Sequence, residues 1–394
     1  MPSTPEPQTT PGANTAYGIF PRLVLDADAV ENNIGVMSAW VRSRGARLAP
    51  HIKTTMTRQI VERQVAGGAV AVSVATLEQA LVARSWGCRR IIIANEVVDP
   101  LALNAIRELL EDDEGLDISC FVDSFEGLRR AADAFWNKNV TLPVVIDIGM
   151  AGTRAGVRDA GSGRALGEET ARTGGLRLVG VGGYEGVTGT VRDNQTLRAV
   201  DEHCARTASV FELCADLFET DAPLFTMGGS VFLDRVVANA PRASAGREME
   251  IVLRPGCYVT HDHGMYAEAT PVAELTPAVV VEALVLSTPE PDLAVAGAGR
   301  RDLAYDAGMP TVLSDATPDA GQASARVDHL FDHHAVIRRA DRLHIGDVVR
   351  LGISHPCSIF DRYTGMVATS RFRGPEWWET DFDRHHSLPN HRSA

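Results

Sequence analysis

Between residues 47 and 253 the chain alternates short, almost continuous apolar runs with longer stretches whose apolar positions recur every three or four residues. The apolar runs are Arg47–His51, Val70–Ala75, Arg90–Ala94, Asp117–Val122, Leu142–Ile148, Leu176–Gly182, Leu224–Met227 and Glu250–Leu253. Runs without polar alternation suit strands covered on both faces. The intervening stretches, such as Leu77–Trp86, Pro100–Glu111, Phe125–Trp136 and Leu197–Phe218, suit amphipathic helices. Eight such units within roughly 200 residues predict an α/β fold, a closed (β/α)8 TIM-like barrel. The competing open, doubly wound sheet would carry a glycine fingerprint after its first strand, and none stands there.

After about Tyr266 the pattern changes. Val279–Ser287, Leu293–Ala296, His334–Ile337, Asp347–Leu351 and Gly365–Thr369 read as strands joined by Pro- and Gly-bearing turns with no long helix between them. This predicts a C-terminal antiparallel β domain over residues 266–394, behind a barrel over 21–265 and a mobile tail over 1–20. The early run Arg22–Asp26 precedes the first barrel helix, so residues 21–27 are free to join the β domain. From Gly374 the chain carries Trp377, Trp378, His385, His386 and His391, read as a loosely docked end.

Composition narrows the partners. The net charge of −13 over 394 residues argues against nucleic acid and anionic membrane. No apolar run reaches the ~18 residues that span a bilayer. The Pro- and Thr-rich start, Met1 to Gly18, lacks the basic and apolar regions of a signal peptide. Six cysteines at 88, 120, 204, 214, 257 and 357 form no CxxC pair, which predicts a reduced, cytoplasmic protein.

Candidate chemistry gathers at the predicted strand ends. Lys53, in Pro50-His51-Ile52-Lys53-Thr54, closes the first barrel strand. That is the end where barrels collect reactive groups, and a lysine there can form a Schiff base with an aldehyde cofactor. Thr226-Met227-Gly228-Gly229-Ser230 follows the seventh strand. A lone glycine pair is commonly a simple turn, but phosphate sites recur at this position in barrels. Gly182-Gly183-Tyr184-Glu185-Gly186 ends the sixth strand, where Tyr184 can stack or donate or simply fill the core. Arg154 follows the fifth strand as a cofactor or carboxylate contact, or as an exposed loop arginine. In Ser354-His355-Pro356-Cys357, His355 and Cys357 stand two apart. In extended backbone they share a side about 6.5 Å apart, and both are zinc ligands. After the eighth strand, Arg254 to His263 includes Tyr258 and a conceivable second metal group of His261, Asp262 and His263. The preferred reading makes this segment a loop near the phosphate or the entrance.

Taken in order, Pro50–Thr54, Gly183–Gly186, Met227–Ser230 and Ser354–Cys357 resemble the D-threonine aldolase and D-serine dehydratase family, the metal-assisted branch of the alanine-racemase-like pyridoxal-phosphate enzymes. The likeness runs from about Pro21 to Thr369. It implies a pyridoxal 5'-phosphate barrel and a metal-bearing β domain, usually in a homodimer. It assigns Lys53 to the Schiff base. It places Arg154 and Tyr184 in the cofactor surroundings, Gly228, Gly229 and Ser230 in the phosphate loop, and His355 and Cys357 on a divalent metal; His51, Thr226 and Tyr258, which stand in or beside these segments, are further cofactor-binding candidates. A cysteine ligand favours zinc over magnesium, with manganese the other candidate.

The resemblance spans two chemistries. Aldolases of the family carry His after the sixth-strand tyrosine and a second His several residues later, where this chain has Glu185 and roughly Thr190. The His-X-Cys pair looks more like the D-serine dehydratases. The resemblance therefore points to loss of water from a β-hydroxy-D-amino acid to a 2-oxo acid and ammonia. Retro-aldol cleavage to glycine and an aldehyde is the alternative. A racemase, with Tyr305 or Tyr363 as second base, and a non-catalytic pyridoxal-phosphate carrier are the remaining readings. The carrier is disfavoured by the ~130 residues beyond the barrel.

Overall fold

The computed structural model describes residues 19–241, 248–313 and 325–382. The segment Met1–Gly18 and the tail histidines His385, His386 and His391 lie outside them. The chain divides into two compact units. Among the described residues, one comprises 19–29, Asp262–Gly264 and those within Pro277–Thr380, and the other comprises those within Val30–His261, Met265–Thr276 and 381–382.

The chain opens with β1 (Arg22–Asp26) and α1 (Ala27–Arg42). The barrel follows: β2 (Arg47–Leu48), α2 (Arg58–Ala66), β3 (Val72–Val74), α3 (Leu77–Ser85), β4 (Arg90–Glu96), α4 (Pro100–Asp112), β5 (Asp117–Val122), α5 (Phe125–Phe135), β6 (Leu142–Ile148), α6 (Ala160–Arg172), β7 (Leu176–Gly183), α7 (Asn194–Leu213), β8 (Leu224–Met227), α8 (Leu233–Ala238), β9 (Glu250–Leu253) and α9 (Met265–Ala269). All eight strands pair in parallel, in the order β2-β9-β8-β7-β6-β5-β4-β3. Bonds from Val70 N to Leu48 O (2.9 Å) and Ser73 N to Pro50 O (2.8 Å), with a bridge between His51 and Ser73, close the ring. The first predicted strand is cut short because Pro50 has no N–H for the ladder. Ala49 N and His51 N still bond to Leu253 O and Pro255 O, so the path stays extended up to Lys53.

The interior is filled by one residue from, or flanking, each strand: Ala49, Ala71, Ile92, Phe121, Val145, Val179, Leu224 and Val252. Side-chain caps fix where the outer helices begin. Asp99 accepts from Leu101 N, Ser124 from Gly127 N, Asp159 from Ser162 N, and Asp193 from Gln195 N and Thr196 N. The last cap starts α7 three residues earlier than the apolar period indicates. Asp99 and Ser124 sit just beyond the ends of β4 and β5, whereas Asp159 and Asp193 close the longer loops after β6 and β7, which carry Arg154 and Tyr184. At the opposite ends of the strands, Arg90 pairs with Glu250 at 2.6 Å, a structural feature of the barrel floor.

The second unit is a nine-stranded sheet. It contains β10 (Val279–Glu290), β11 (Leu293–Ala296), β12 (Thr311–Leu313), β13 (Arg326–Leu330), β14 (Ala335–Arg338), β15 (Val348–Gly352), β16 (Gly365–Thr369) and β17 (Glu376–Glu379). The early run 22–26 belongs here, since β1 pairs antiparallel with β10 and parallel with β16. Val24, Val280 and Val367 make its central apolar contact. The expectation of a loosely docked end from Gly374 is corrected at Trp377 and Trp378. They form β17 against β16, with Trp378 only 2% exposed. Among the described residues no helix is long and apolar enough to cross a membrane.

Candidate active site

In the barrel, Lys53 lies in a 3-10 turn, Ile52–Thr54, at the C-terminal end of the first barrel strand, between buried Ile52 and Thr54. His51, one step earlier, is half-buried, and its Nδ1 has no hydrogen-bond partner among the described residues. Burial first, then the charges of Lys53, Arg254 and Arg154, hold the His51 imidazole well below its usual pKa. Three cations therefore converge on a neutral histidine, a surrounding that favours an anionic ligand. Exposed Arg154 stands over the Tyr184 ring, 5.4 Å from its centroid, and Tyr184 is itself 39% exposed. The sequence thus brings Arg154 and Tyr184 together.

The loop after β8 is shaped by its glycines. Gly228 has φ +96°, which L side chains rarely adopt, and a Cβ on Gly229 would come 2.8 Å from the Tyr184 ring. The Gly228 and Gly229 amides point at a carboxylate, donating to Glu185 Oε2 at 3.1 Å and Oε1 at 2.6 Å. Ser230 is buried, and its Oγ has no partner among the described residues. Two aligned amides that already receive an anion, beside an unused hydroxyl and near Lys53's cationic surroundings, fit the phosphate of pyridoxal phosphate.

Two residues of the expected set are committed elsewhere. Thr226 Oγ1 donates to Val252 O (3.0 Å) and accepts from Arg254 Nε (2.9 Å), so it braces β8, β9 and Arg254. Tyr258 is buried, its hydroxyl accepting from Gln64 of α2 at 3.0 Å, and burial pushes its pKa up. Its polar end faces a helix, and its ring is core. In the same segment, Asp262 Oδ1 accepts from Gly264 N at 2.9 Å and shapes a turn.

Sequence reasoning named Arg254 only as the first residue of its loop segment and gave it no role of its own. This buried arginine also donates to Gly183 O at 2.6 Å and lies 5.0 Å from the Phe121 ring centroid. Burial raises the pKa of Asp147 and of Glu185, and the Arg254 charge offsets part of that rise. The signal was available: a charged residue at a strand end inside a barrel needs a partner. Glu96 and Asp147, at the ends of β4 and β6, were also missed. Their side chains share a hydrogen bond. Burial, and for Glu96 the charge of Asp147, raises both above the usual carboxylate range.

In the β unit, Ser354-His355-Pro356-Cys357 is not an extended strand as expected. Pro356 starts a 3-10 turn, Pro356–Ser358, with His355 before it. The turn nevertheless lets the His355 and Cys357 side chains hydrogen-bond. His355 Nδ1 is 2.6 Å from Asp306 Oδ2, and Ser358 Oγ donates to Asp306 Oδ1 at 2.9 Å. Burial works against the imidazolium, but Cys357 and Asp306 outweigh it and raise His355 to about 9. An imidazole held by a carboxylate on Nδ1 presents Nε2 outward, the orientation of metal-bound histidines. With the Cys357 sulfur, the donor set fits a divalent ion of zinc's softness. Asp306 lies 49 positions away, so no local spacing announces it. The alternative bases lack such support: Tyr363 donates to Asp302 O at 2.9 Å, and Tyr305 is exposed.

Comparison with known proteins agrees with this geometry. Residues 25–232 match the family described as alanine racemase, N-terminal domain, and residues 278–369 match the putative serine dehydratase domain. The chain is 26% identical over 378 residues to a D-threonine aldolase of Arthrobacter sp, covering 95% of each chain. It is 24% identical over 386 residues to a D-threo-3-hydroxyaspartate dehydratase of a Delftia species, covering 91% of this chain and 96% of that one. The crystal structure of D-threonine aldolase from Filomicrobium marinum superposes with a TM-score of 0.77 at 26% identity, over 92% of this chain and 95% of the other. The protein is thus an enzyme of the lyase kind, and the chain belongs to the alanine racemase N-terminal domain family, within the group that joins this domain to a putative serine dehydratase domain and contains D-threonine aldolases and D-threo-3-hydroxyaspartate dehydratases.

Proposed function

We propose that the protein is a pyridoxal-phosphate- and divalent-metal-dependent lyase that removes water from a β-hydroxy-D-amino acid and leaves a 2-oxo acid and ammonia. One observation carries the reading: a single chain holds both Lys53 amid cations and glycine-loop amides, and a His-X-Cys pair oriented by Asp306. Lys53 would hold the cofactor aldehyde and, once displaced by the substrate amine, move the proton at the α-carbon. Gly228 N, Gly229 N and Ser230 Oγ would bind its phosphate. His51, kept neutral, would not compete with Lys53 for a proton. Arg154 and Tyr184 would orient the substrate carboxylate at the exposed rim. His355 and Cys357 would hold the metal, zinc on donor chemistry. When bound, pyridoxal phosphate supplies an electron sink at the α-carbon, and the metal supplies Lewis acidity at the β-oxygen.

Retro-aldol cleavage is the second reading, favoured by the 26% identity to a D-threonine aldolase. It needs a base for the hydroxyl proton. Glu185 is fully buried, and Thr190 is no base near neutral pH. His203 of α7 is fully buried, and burial holds it down to about 4. Dehydration needs no such base: Lys53 would move the α-proton, and a metal held by His355 and Cys357 would supply Lewis acidity at the leaving oxygen. The test is turnover of D-serine. Pyruvate and ammonia, lost on chelation and restored by zinc, are expected; full activity after metal removal rejects the reading.

A further inference from the structure

The buried carboxylate of Glu185 occupies the two amides that a phosphate would use. Glu185 is 0% exposed, and its Oε2 and Oε1 accept from Gly228 N at 3.1 Å and Gly229 N at 2.6 Å. Each amide carries one hydrogen, so it cannot serve a carboxylate and a phosphate at full strength together. Two anions on the same pair would also repel at low dielectric. Ser230 Oγ is buried, and Glu185 leaves it without a partner among the described residues. A carboxylate has two oxygens for two amides. A phosphate, with three, would engage the third donor as well. Glu185 is not locked into a strand. It begins a 3-10 turn, Glu185–Thr188, that ends at Gly189 with φ +141°, so the turn can shift while β7 stays paired.

We propose that Glu185 is an internal anion that competes with the cofactor phosphate for the Gly228 and Gly229 amides, and so sets how strongly the protein prefers a phosphorylated aldehyde to its unphosphorylated form. This rests on the pyridoxal-phosphate reading above. It makes Glu185 a residue that weakens cofactor capture, in a place where aligned amides alone would strengthen it.

The test compares cofactor-free wild type with Glu185→Gln and Glu185→Asp, each checked for native circular dichroism. Gln keeps the shape without the charge. Asp keeps the charge on a stem too short to reach both amides. Each protein is titrated with pyridoxal phosphate and with pyridoxal, read by the visible band, and with inorganic phosphate, read by calorimetry. Freeing two charge-assisted bonds should tighten pyridoxal phosphate and inorganic phosphate binding in Glu185→Gln by about tenfold and leave pyridoxal unchanged. Glu185→Asp should move in the same direction, and it carries the test if the Gln variant does not fold. Unchanged affinities, a parallel change for both aldehydes, or weaker phosphate binding overturn the proposal. If no aldehyde gives a visible band with any of the proteins, the cofactor reading fails by itself, and the inorganic phosphate titration still decides the competition.

Discussion

At the residue scale, the account depends on a few side chains and on what surrounds them. Lys53 is the first. Lys53→Ala should abolish the visible absorption of bound cofactor and nearly all turnover, whereas reductive labelling of a different lysine would contradict the assignment. Asp306 is the second. Its bond to His355 Nδ1 at 2.6 Å orients the imidazole, so Asp306→Ala should weaken metal affinity roughly ten- to hundredfold. The cofactor band should not change, because nothing at Lys53 is disturbed. Equal zinc affinity in variant and wild type, measured by competition with a chromogenic chelator, would remove Asp306 from the account. Lys53, Arg154, Tyr184, Gly228, Gly229, His355 and Cys357 were legible because short local strings carry them. Asp306 and Arg254 were not, because their partners are distant in sequence: 49 positions from Asp306 to His355, and 71 from Gly183 to Arg254. Thr226 and Tyr258 were legible as segment members, but their hydrogen bonds to Val252 and Gln64 depend on packing that no string encodes.

At the scale of elements, strands β4 and β6 end in a costly arrangement. Glu96 and Asp147 share a hydrogen bond, and burial raises both pKa values. A carboxyl group whose folded pKa lies above its unfolded value stabilises the fold at low pH. That contribution fades as pH rises from the ordinary carboxylate range toward neutrality. Glu96→Gln keeps a hydrogen bond without the second charge. Its melting temperature should therefore fall less between pH 5 and pH 8, about the window spanned by these shifts, than that of wild type. Identical pH profiles would show that the pair titrates normally. Elsewhere the elements followed their patterns closely. The strands 117–122, 142–148, 224–227 and 250–253 begin and end where the apolar runs do. Three exceptions have local causes: Pro50 interrupts β2, the cap Asp193 lengthens α7 at its start, and a register shift between Val327 and His329 hides the alternation of β13; the short strands β12 and β17 and the end of α7 at Leu213 also departed from the reading.

At the scale of the whole molecule, one chain carries a barrel whose strand ends gather cations and amides, and a sheet whose turn at Pro356 gathers imidazole, thiol and carboxylate. The two sets make separable contributions. Chelation should abolish turnover while leaving the visible cofactor band largely intact, because neither Lys53 nor the glycine-loop donors are asked to hold the ion. Loss of the band on chelation, followed in one cuvette, would contradict that separation. The central claim is that the β-oxygen leaves as water. The measurement closest to it is the product ratio from D-threonine, with 2-oxobutanoate, ammonia, glycine and acetaldehyde quantified in one reaction. The account predicts 2-oxobutanoate and ammonia in equal amounts as the main products; glycine and acetaldehyde as the main products would contradict it.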